Sequence, residues 1–350
     1  MRFIHAADIH LGVKPDKDKA WSDTRAAEIE NTFDRLLDIA EERKVDLLFL
    51  AGDVFHTPPS LAQLKNLDYR LSKLSVTRTI IIAGNHDYIE EGSPADSYEF
   101  QSNTVLMPRD CFSNAYMEDI NTCVTGFSFG QNMYTDDITA DIAPQKEGAI
   151  NILLMHGGDE MHVPINFREL AGAGFDYVAL GHIHKPKHMV KNKMAYSGSL
   201  EPIDCTETGR RGFIYGKCDN GETAIKWEPL NCRSYINLGF DVKPTYSESQ
   251  IIDVIRRNIE KMGAENIYRI IMQGELGNGV KPDFAQLKLK YNIYDVTDNT
   301  MYEYSIEKLY LDNENNLMGR FIKTLSEQED EISKKALRYG IEAMIATGEK

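Results

Sequence analysis

The sequence predicts a layered α/β fold with a large domain followed by a smaller one, and three observations carry this prediction. Five apolar runs typical of buried strands each end in a polar cluster with Asp, Asn or His. Amphipathic helical patterns separate the first three runs, which gives the order β, α, β, α, β. The chain of 350 residues also exceeds the size at which single cores stop growing.

The five strand candidates share one arrangement, in which polar residues follow the apolar run at once. They are FIHAADIH (3–10), DLLFLAGDVFH (46–56), TIIIAGNHD (79–87), INILLMHGG (150–158) and YVALGHIH (177–184). In open α/β sheets, ligands bind beyond the carboxyl ends of the strands. We therefore expect the five polar clusters to meet in one pocket.

Two amphipathic helices are predicted between the first three strands. Apolar residues recur at steps of three and four from Ala26 to Ala40 and from Leu61 to Leu74. The second stripe is expected to pack on the sheet, and a dimer face is the alternative.

The pattern changes after about residue 188, where short strands and turns are expected to complete the core. A boundary is predicted near residues 231–237, so that residues 1–232 form the core domain, 237–320 a small α/β cap domain and 321–350 a C-terminal amphipathic helix. The cap is predicted to start with the capped helix SESQIIDVIRRNIEKM and to continue with strands NIYRIIMQGEL and MYEYSIEKLYL.

Composition narrows the class of protein. The chain is 42% hydrophobic and 27% charged, as in globular proteins, and its five cysteines form no CxxC pair, which indicates reduced thiols. Without a leader or an apolar run near eighteen residues, a cytoplasmic protein with no membrane contact is expected. The net charge of −15 argues against a broad nucleic-acid surface, although a local positive pocket can outweigh it.

The polar clusters contain the candidate site residues, which are Asp8, His10, Asp53, His56, Asn85, His86, His156, His182 and His184. Imidazoles and carboxylates without thiolates suit first-row divalent ions such as Mn²⁺, Fe²⁺ or Zn²⁺. These groups are too many for one ion and suit two ions that share a carboxylate. Two divalent ions outweigh two carboxylates, so the pocket is expected to bind an anion, and phosphoester hydrolysis is the leading chemistry.

Four other polar residues near the motifs receive structural interpretations. His5 alternates with the first motif along its strand and is expected in the core or behind the site. Asp87 is expected to have a structural role, and His162 and His188 are interpreted as surface residues.

The ordered motifs DxH, GD, GNHD, H and GHxH resemble those of the calcineurin-like metallophosphoesterase superfamily. The resemblance implies a layered αββα sandwich. It also implies one ion held by Asp8, His10, Asp53 and His184, a second held by Asp53, Asn85, His156 and His182, and a metal-bound hydroxide that attacks phosphorus. In this family pattern His86 assists the leaving group.

The start MRFIHAADIHLG, the GDVFH motif and YSGSLEP (196–202) further resemble SbcD-type nucleases of DNA double-strand-break repair, YhaO-like exonucleases included. That resemblance implies a Mn²⁺-dependent exonuclease with possible single-strand endonuclease activity, in which His56 helps to hold the DNA phosphate. It also implies a homodimer formed through helices near the second and third motifs, and an SbcC-type ATPase partner with coiled coils.

Three functions remain open from the sequence. A Mn²⁺-dependent DNA nuclease is the first, and a nucleotide or small-molecule phosphodiesterase or phosphatase with the same site is the second. A non-catalytic binding module is the third, and the complete ligand set argues against it because buried polar groups are costly unless satisfied. The basic residues that could contact DNA are Lys14, Lys17, Lys19, Lys185, Lys187, Lys191 and Lys193.

Overall fold

The structure is a computed structural model that describes residues 1–219, 221–277, 279–302, 305–328 and 330–348. The chain divides into two compact units, Met1–Ile236 and Asn237–Lys350. The predicted roles of a nuclease core and a cap stay predictions.

The larger unit is built from two sheets. Its strands are β1 (Arg2–Ala6), β2 (Leu47–Ala51), β3 (Arg78–Ile82), β4 (Thr104–Leu106), β5 (Ser113–Met117), β6 (Thr122–Gly126), β7 (Ile150–His156), β8 (Tyr177–Gly181), β9 (Lys187–Val190), β10 (Met194–Tyr196), β11 (Gly212–Asp219) and β12 (Glu222–Pro229). The first sheet has the order β12-β11-β1-β2-β3-β4 and the second has the order β5-β6-β7-β8-β10-β9. The unit also contains the helices α1 (Ser22–Arg43), α2 (Leu61–Leu71) and α3 (Phe167–Gly172).

Alternation along β2 shows how the first sheet is covered on both faces. Leu48 and Leu50 point to the side of α1 and α2, where they join the cluster that includes Phe33. Leu47 and Phe49 point the opposite way and join residues of the second sheet. Because successive strand residues face opposite sides, a continuous apolar run serves two interfaces at once.

The second sheet follows the same rule. Ile152 and Leu154 on β7 face the first sheet, whereas Leu153 and Met155 pack with Leu170 of α3. The layers are therefore helix, sheet, sheet and helix. The predicted α/β sandwich is confirmed.

Parallel pairing brings the motifs to one edge of the sandwich. Strands β1, β2 and β3 are parallel neighbours in the first sheet, and β7 pairs in parallel with β8 in the second, with His156 opposite Gly181. The loops that carry the five motifs leave these carboxyl ends, where ligands bind in folds of this class.

The smaller unit is also α/β. Its elements are β13 (Tyr235–Val242), α4 (Glu248–Met262), β14 (Ile267–Leu276), α5 (Ala285–Lys290), β15 (Asn292–Asp298), β16 (Met301–Tyr302), α6 (Ile306–Asn313), α7 (Leu317–Ser326) and α8 (Glu331–Thr347). Helix α4 begins with a capping box between Ser247 and Gln250. It buries Ile251, Ile255 and Ile259, as its amphipathic pattern predicts.

Two expectations for this unit differ from the structure. The predicted strand MYEYSIEKLYL is a strand only at Met301–Tyr302, and residues Ile306–Asn313 form the helix α6. This helix begins after Ser305, whose side chain accepts a hydrogen bond from the Lys308 N–H. Residues 303 and 304 lie outside the described residues. The single helix expected over 321–350 is instead the end of α7 followed by α8, whose start is capped by the side chain of Asp330. None of the described helices has the length and apolar character needed to span a membrane.

Candidate metal centre

The loops after β1 and β2 hold their polar residues in an unusual backbone conformation. Asp8, His10 and Asp53 have φ values of 52°, 53° and 52°, in the left-handed region that non-glycine residues rarely adopt. The loops are joined by hydrogen bonds from the N–H groups of Ile9 and His10 to the Asp53 carbonyl, at 2.9 and 3.0 Å. Strain of this kind persists where the surroundings enforce it, and here it aims three side chains at one point.

A first group of donor atoms meets around His10. Its Nε2 lies 3.1 Å from the Nε2 of His184 and 3.8 Å from the Oδ2 of Asp53. Ligand atoms of Asp8, His10 and His184 all lie within 4.8 Å of one another. Asp8 and His10 are fully buried, so these polar groups face each other away from water.

A second group meets around Asn85. Its Oδ1 lies 3.0 Å from the Nε2 of His156 and 3.1 Å from the Nδ1 of His182. The Nε2 of His156 is also 3.4 Å from the Oδ2 of Asp53. Asp53 thus stands between the two groups, with the same carboxylate oxygen near His10 and His156.

The donor set fits a pair of divalent cations. The Nδ1–H of His156 donates to the Ala51 carbonyl at 2.9 Å, which leaves the Nε2 lone pair directed at the pocket. Burial acts to lower the pKa of His156, but the charge of Asp53 outweighs it and raises the pKa to about 9. Asp53 therefore favours positive charge at this position, whereas burial lowers the pKa of His10 and lowers that of His182 to about 4. The nitrogen and oxygen donors of the pocket match first-row divalent ions.

His56 and His86 lie together at the more open side of this group. Their rings stack with centroids 5.0 Å apart, and both are partly exposed, unlike His10. The Nδ1–H of His86 donates to the His56 carbonyl at 3.1 Å, so the His86 Nε2 is left for another partner. Burial lowers the pKa of His56, and its electrostatic interactions with His86 and Lys17 act in the same direction.

The structure brings all nine candidate residues to one edge of the sandwich. Asp87 is buried and accepts hydrogen bonds from the N–H groups of Gly84, Phe55 and Asp53, at 2.7, 3.1 and 3.2 Å. It ties the GD loop to the GNHD loop, which is the structural role that its position next to His86 suggested.

The other histidines have different outcomes. His5 is buried in the core, with its Nδ1 2.9 Å from the Tyr177 hydroxyl. His188 is exposed on β9. The interpretation of His162 as a plain surface residue is wrong: its Nδ1 is 3.0 Å from Asp159, which also contacts His182. The sequence did not reveal this link between His162 and the site, because it passes through the contact of Asp159 with His182, which are distant in sequence.

Sequence reasoning also missed Glu207 and the glycines of the motifs. Glu207 accepts a hydrogen bond from the Nδ1 of His184 at 2.8 Å. A Cβ on Gly52 would lie 2.7 Å from the Cγ of His156, and one on Gly181 would lie 2.8 Å from its Nδ1. Gly52 of the GD motif and Gly181 of the GHxH motif therefore leave space for the His156 imidazole. Both glycines belong to the motifs, so the sequence already contained this signal.

A two-sheet α/β sandwich that gathers carboxylates, an amide and imidazoles at its strand ends defines a metallophosphoesterase. Residues 1–186 match the family described as calcineurin-like phosphoesterase, and the chain belongs to this family. The predicted family is confirmed. Its members are phosphoester hydrolases with a site for two divalent ions, and the clusters around Asp8, Asp53 and His156 fit such a site.

Two relatives are similar in sequence to much of the chain. The chain is 24% identical over 305 residues to a protein of Bacillus subtilis named uncharacterized metallophosphoesterase YhaO, covering 78% of this chain and 72% of that protein. It is 28% identical over 257 residues to the DNA double-strand break repair protein Mre11 of Methanopyrus kandleri, covering 63% of this chain and 55% of that protein. The matched region therefore spans little more than half the length of the Mre11 relative.

Proposed function

We propose that the chain is a metal-dependent DNA nuclease that hydrolyses phosphodiester bonds in DNA repair. The observation that carries this proposal is the stacked pair of His56 and His86 beside the buried donor set. A phosphate at the centre would meet two imidazoles that are not needed to hold the ions. The similarity to a protein named for DNA double-strand break repair supports the choice of DNA as substrate.

The proposed ligands follow the two groups of donor atoms. Asp8, His10, Asp53 and His184 would hold one ion, and Asp53, Asn85, His156 and His182 would hold the other, most favourably Mn²⁺. Two such ions supply a water of lowered pKa and neutralise charge on the phosphate.

The chain's own residues then have distinct tasks. The hydrogen bond from His86 Nδ1 to the His56 carbonyl fixes the ring with Nε2 facing the leaving oxygen, and the imidazolium form of the ring would donate its Nε2 proton to that oxygen. The His56 ring packs beside it and would contact the phosphate of the bound strand. The charge of Lys17 contributes to the lowered pKa of His56, and Lys17 would add attraction for the DNA backbone.

The resemblance to SbcD-type nucleases supplies further proposals. We propose a homodimer, an SbcC-type coiled-coil ATPase as partner, and action in the cytoplasm without membrane contact. A nucleotide or small-molecule phosphodiesterase or phosphatase is the second candidate function, because a net charge of −15 opposes a long polyanion more than it opposes a compact ester.

Digestion of end-labelled duplex DNA with Mn²⁺ tests the substrate class. We expect metal-dependent cleavage that falls steeply as salt rises, because DNA binding releases counterions. Cyclic nucleotides and an aryl phosphodiester serve as compact competitors. Hydrolysis of these esters with intact DNA would establish the second candidate instead.

Two substitutions test the division of labour between metal binding and proton transfer. His86→Asn should bind two ions and lose most turnover, since His86 lies outside both ligand sets. Asp53→Asn should lose metal as well as turnover. His188→Asn, on an exposed strand, is the matched control and should behave as the parent protein. Full turnover by His86→Asn would remove the leaving-group role.

A further inference from the structure

Both histidines of the GHIH motif carry a carboxylate on the nitrogen that faces away from the donor group. His184 has its Nε2 3.1 Å from His10 and its Nδ1 2.8 Å from the Oε1 of Glu207. His182 has its Nδ1 3.1 Å from Asn85 and its Nε2 2.6 Å from the Oδ2 of Asp159. The two rings thus use opposite nitrogens for the pocket, and a carboxylate accounts for the remaining N–H in each case.

Glu207 is itself held in place. Its Oε2 accepts hydrogen bonds from the Ser199 hydroxyl and the Ile203 N–H, each at 3.4 Å, and lies 3.7 Å from the Nε of Arg211. The Glu207 side chain is 13% exposed. These contacts fix Oε2 and leave Oε1 directed at His184.

Asp159 is held by the turn that follows it. Its Oδ1 accepts hydrogen bonds from the N–H groups of Met161 and His162, at 2.8 and 2.9 Å, and from the His162 Nδ1 at 3.0 Å. The His162 Nδ1 also lies 3.1 Å from Oδ2. The turn thus fixes the carboxylate, and its Oδ2 makes the shorter contact with His182. The His162 ring also lies against the His182 ring, with centroids 4.7 Å apart.

We propose that Glu207 and Asp159 are positioning residues, each of which sets the tautomer and orientation of one GHIH histidine and thereby tunes the affinity of one of the two metal positions. The inference rests on the ligand sets of the proposed function. A ligating imidazole needs its other N–H bonded to a fixed acceptor, and loss of that acceptor typically weakens metal binding about 10- to 100-fold. Glu207 would act on the position that contains His10, and Asp159 on the position that contains Asn85.

A different arrangement of the same atoms would be a third metal site. The ligand atoms of Asp159, His162 and His182 lie within 4.8 Å of one another. The contacts favour the positioning role. The N–H groups of His162 and His182 that face Asp159 already have acceptors there, and each oxygen of the Asp159 carboxylate already has a hydrogen-bond donor.

Calorimetric titration of the full chain with Mn²⁺ at fixed pH, and visible spectra with Co²⁺, test the proposal. The parent should bind two ions in separable steps. Glu207→Ala should weaken one step about 100-fold and leave the other unchanged, and Asp159→Ala should do the converse. Glu207→Gln and Asp159→Asn keep an acceptor oxygen without the charge, so their effects should be intermediate, about 10-fold. The Co²⁺ spectrum should change only for the weakened position.

Matched controls separate this role from general damage to the fold. Glu228→Gln removes a carboxylate of similar exposure, 18%, that pairs with Arg43 away from the motifs. Asp137→Asn removes a turn carboxylate that accepts from Thr139. Both controls should keep the parental binding constants.

The outcomes are distinct. Parental binding constants in both Ala variants would overturn the proposal and leave the nuclease function standing. Three ions in the parent and two in Asp159→Ala would overturn it in favour of a third site. Two ions and the expected variants, with DNA left uncut, would support the positioning roles while the proposed substrate failed. Uptake of no ion by the parent would remove both.

Discussion

The buried ion pair between Arg25 on α1 and Glu201 in the SGSLEP segment gives a prediction whose size can be worked from the structure. Both side chains are 0% exposed, and the Arg25 guanidinium lies 3.2 Å from the Oε2 of Glu201. The Oε1 of Glu201 accepts hydrogen bonds from the Thr32 hydroxyl at 2.7 Å and from the Cys232 N–H. Burial outweighs the attraction of Arg25 and raises the pKa of Glu201 above its ordinary value.

Arg25 shows the opposite balance: burial acts to lower its pKa, but the charges of Glu201 and Glu28 outweigh burial and raise it. A buried pair of this kind is costly to break but adds little stability as a pair. Glu201→Gln keeps the acceptor for Thr32 and leaves Arg25 buried with a charge it cannot lose. Arg25 retains Glu28 and the Pro202 carbonyl as partners. We therefore expect a loss of about 3 kcal/mol in the free energy of unfolding, at the low end for broken buried pairs.

The double variant Arg25→Met, Glu201→Gln removes both charges. Its stability should lie at least about 2 kcal/mol closer to the parent than the sum of the two single effects would place it. Asp119→Asn breaks the exposed pair with Arg78, whose partners are 62% and 26% exposed, and should cost less than about 1 kcal/mol.

Tryptophan fluorescence during denaturant unfolding measures these effects in the right part of the chain. The two tryptophans are Trp21 and Trp227, and both lie in the unit Met1–Ile236, so the signal reports that unit. Equal small effects of Glu201→Gln and Asp119→Asn, or strictly additive single effects in the double variant, would refute the reasoning.

Three further predictions concern the core and the metal centre. Gly181→Ala should cost about 3 kcal/mol and disturb metal uptake, because the new Cβ would overlap the Ala51 carbonyl oxygen and lie 2.8 Å from the Nδ1 of His156, whereas Gly172→Ala, with open space around it, should do neither; calorimetric metal titration and unfolding compare the two. Burial lowers the pKa of His5 to about 3, below its unfolded value of 6.5, so the folded state loses stability as the pH falls through that window. Relative to His5→Gln, the parent should lose about 1.4 kcal/mol more between pH 7.5 and 5.5, and parallel pH profiles of unfolding would contradict this. Mn²⁺ at a hundred times its dissociation constant should raise the stability of the parent by about 2.7 kcal/mol for each ion bound, an effect that EDTA reverses and Asp53→Asn lacks; equal melting curves with and without Mn²⁺ would count against the centre.

The motif-bearing strands could be predicted because their signal is local. Each apolar run and its polar end are contiguous, and the alternation at Leu47, Leu48 and Phe49 is written in the sequence itself. The donor set could be predicted for the same reason, since strand ends in this fold class converge. The left-handed backbone conformation of Asp8 and Asp53 could not be predicted from the local sequence, because it results from hydrogen bonds between separate loops.

The supports of the donor set could not be predicted in this way. Asp159 meets His182 across 23 residues of sequence, and Glu207 meets His184 across the same separation, so neither carboxylate belongs to a motif. Helix α6 was predicted as a strand because Ile306, Leu309 and Tyr310 fit a short apolar run as well as one helical face. The hydrogen bond that caps α6 at Ser305 favours the helix.

The distribution of the donors between the two sheets has a consequence for biosynthesis. Asp8, His10, Asp53 and Asn85 follow strands of the first sheet, while His156, His182 and His184 belong to the second. Under the proposed ligand sets, each ion needs a residue from 182–184. A nascent chain on the ribosome would therefore have no complete centre until its first 184 residues had left the exit tunnel. The protein would therefore have no catalytic activity during the first half of its own translation.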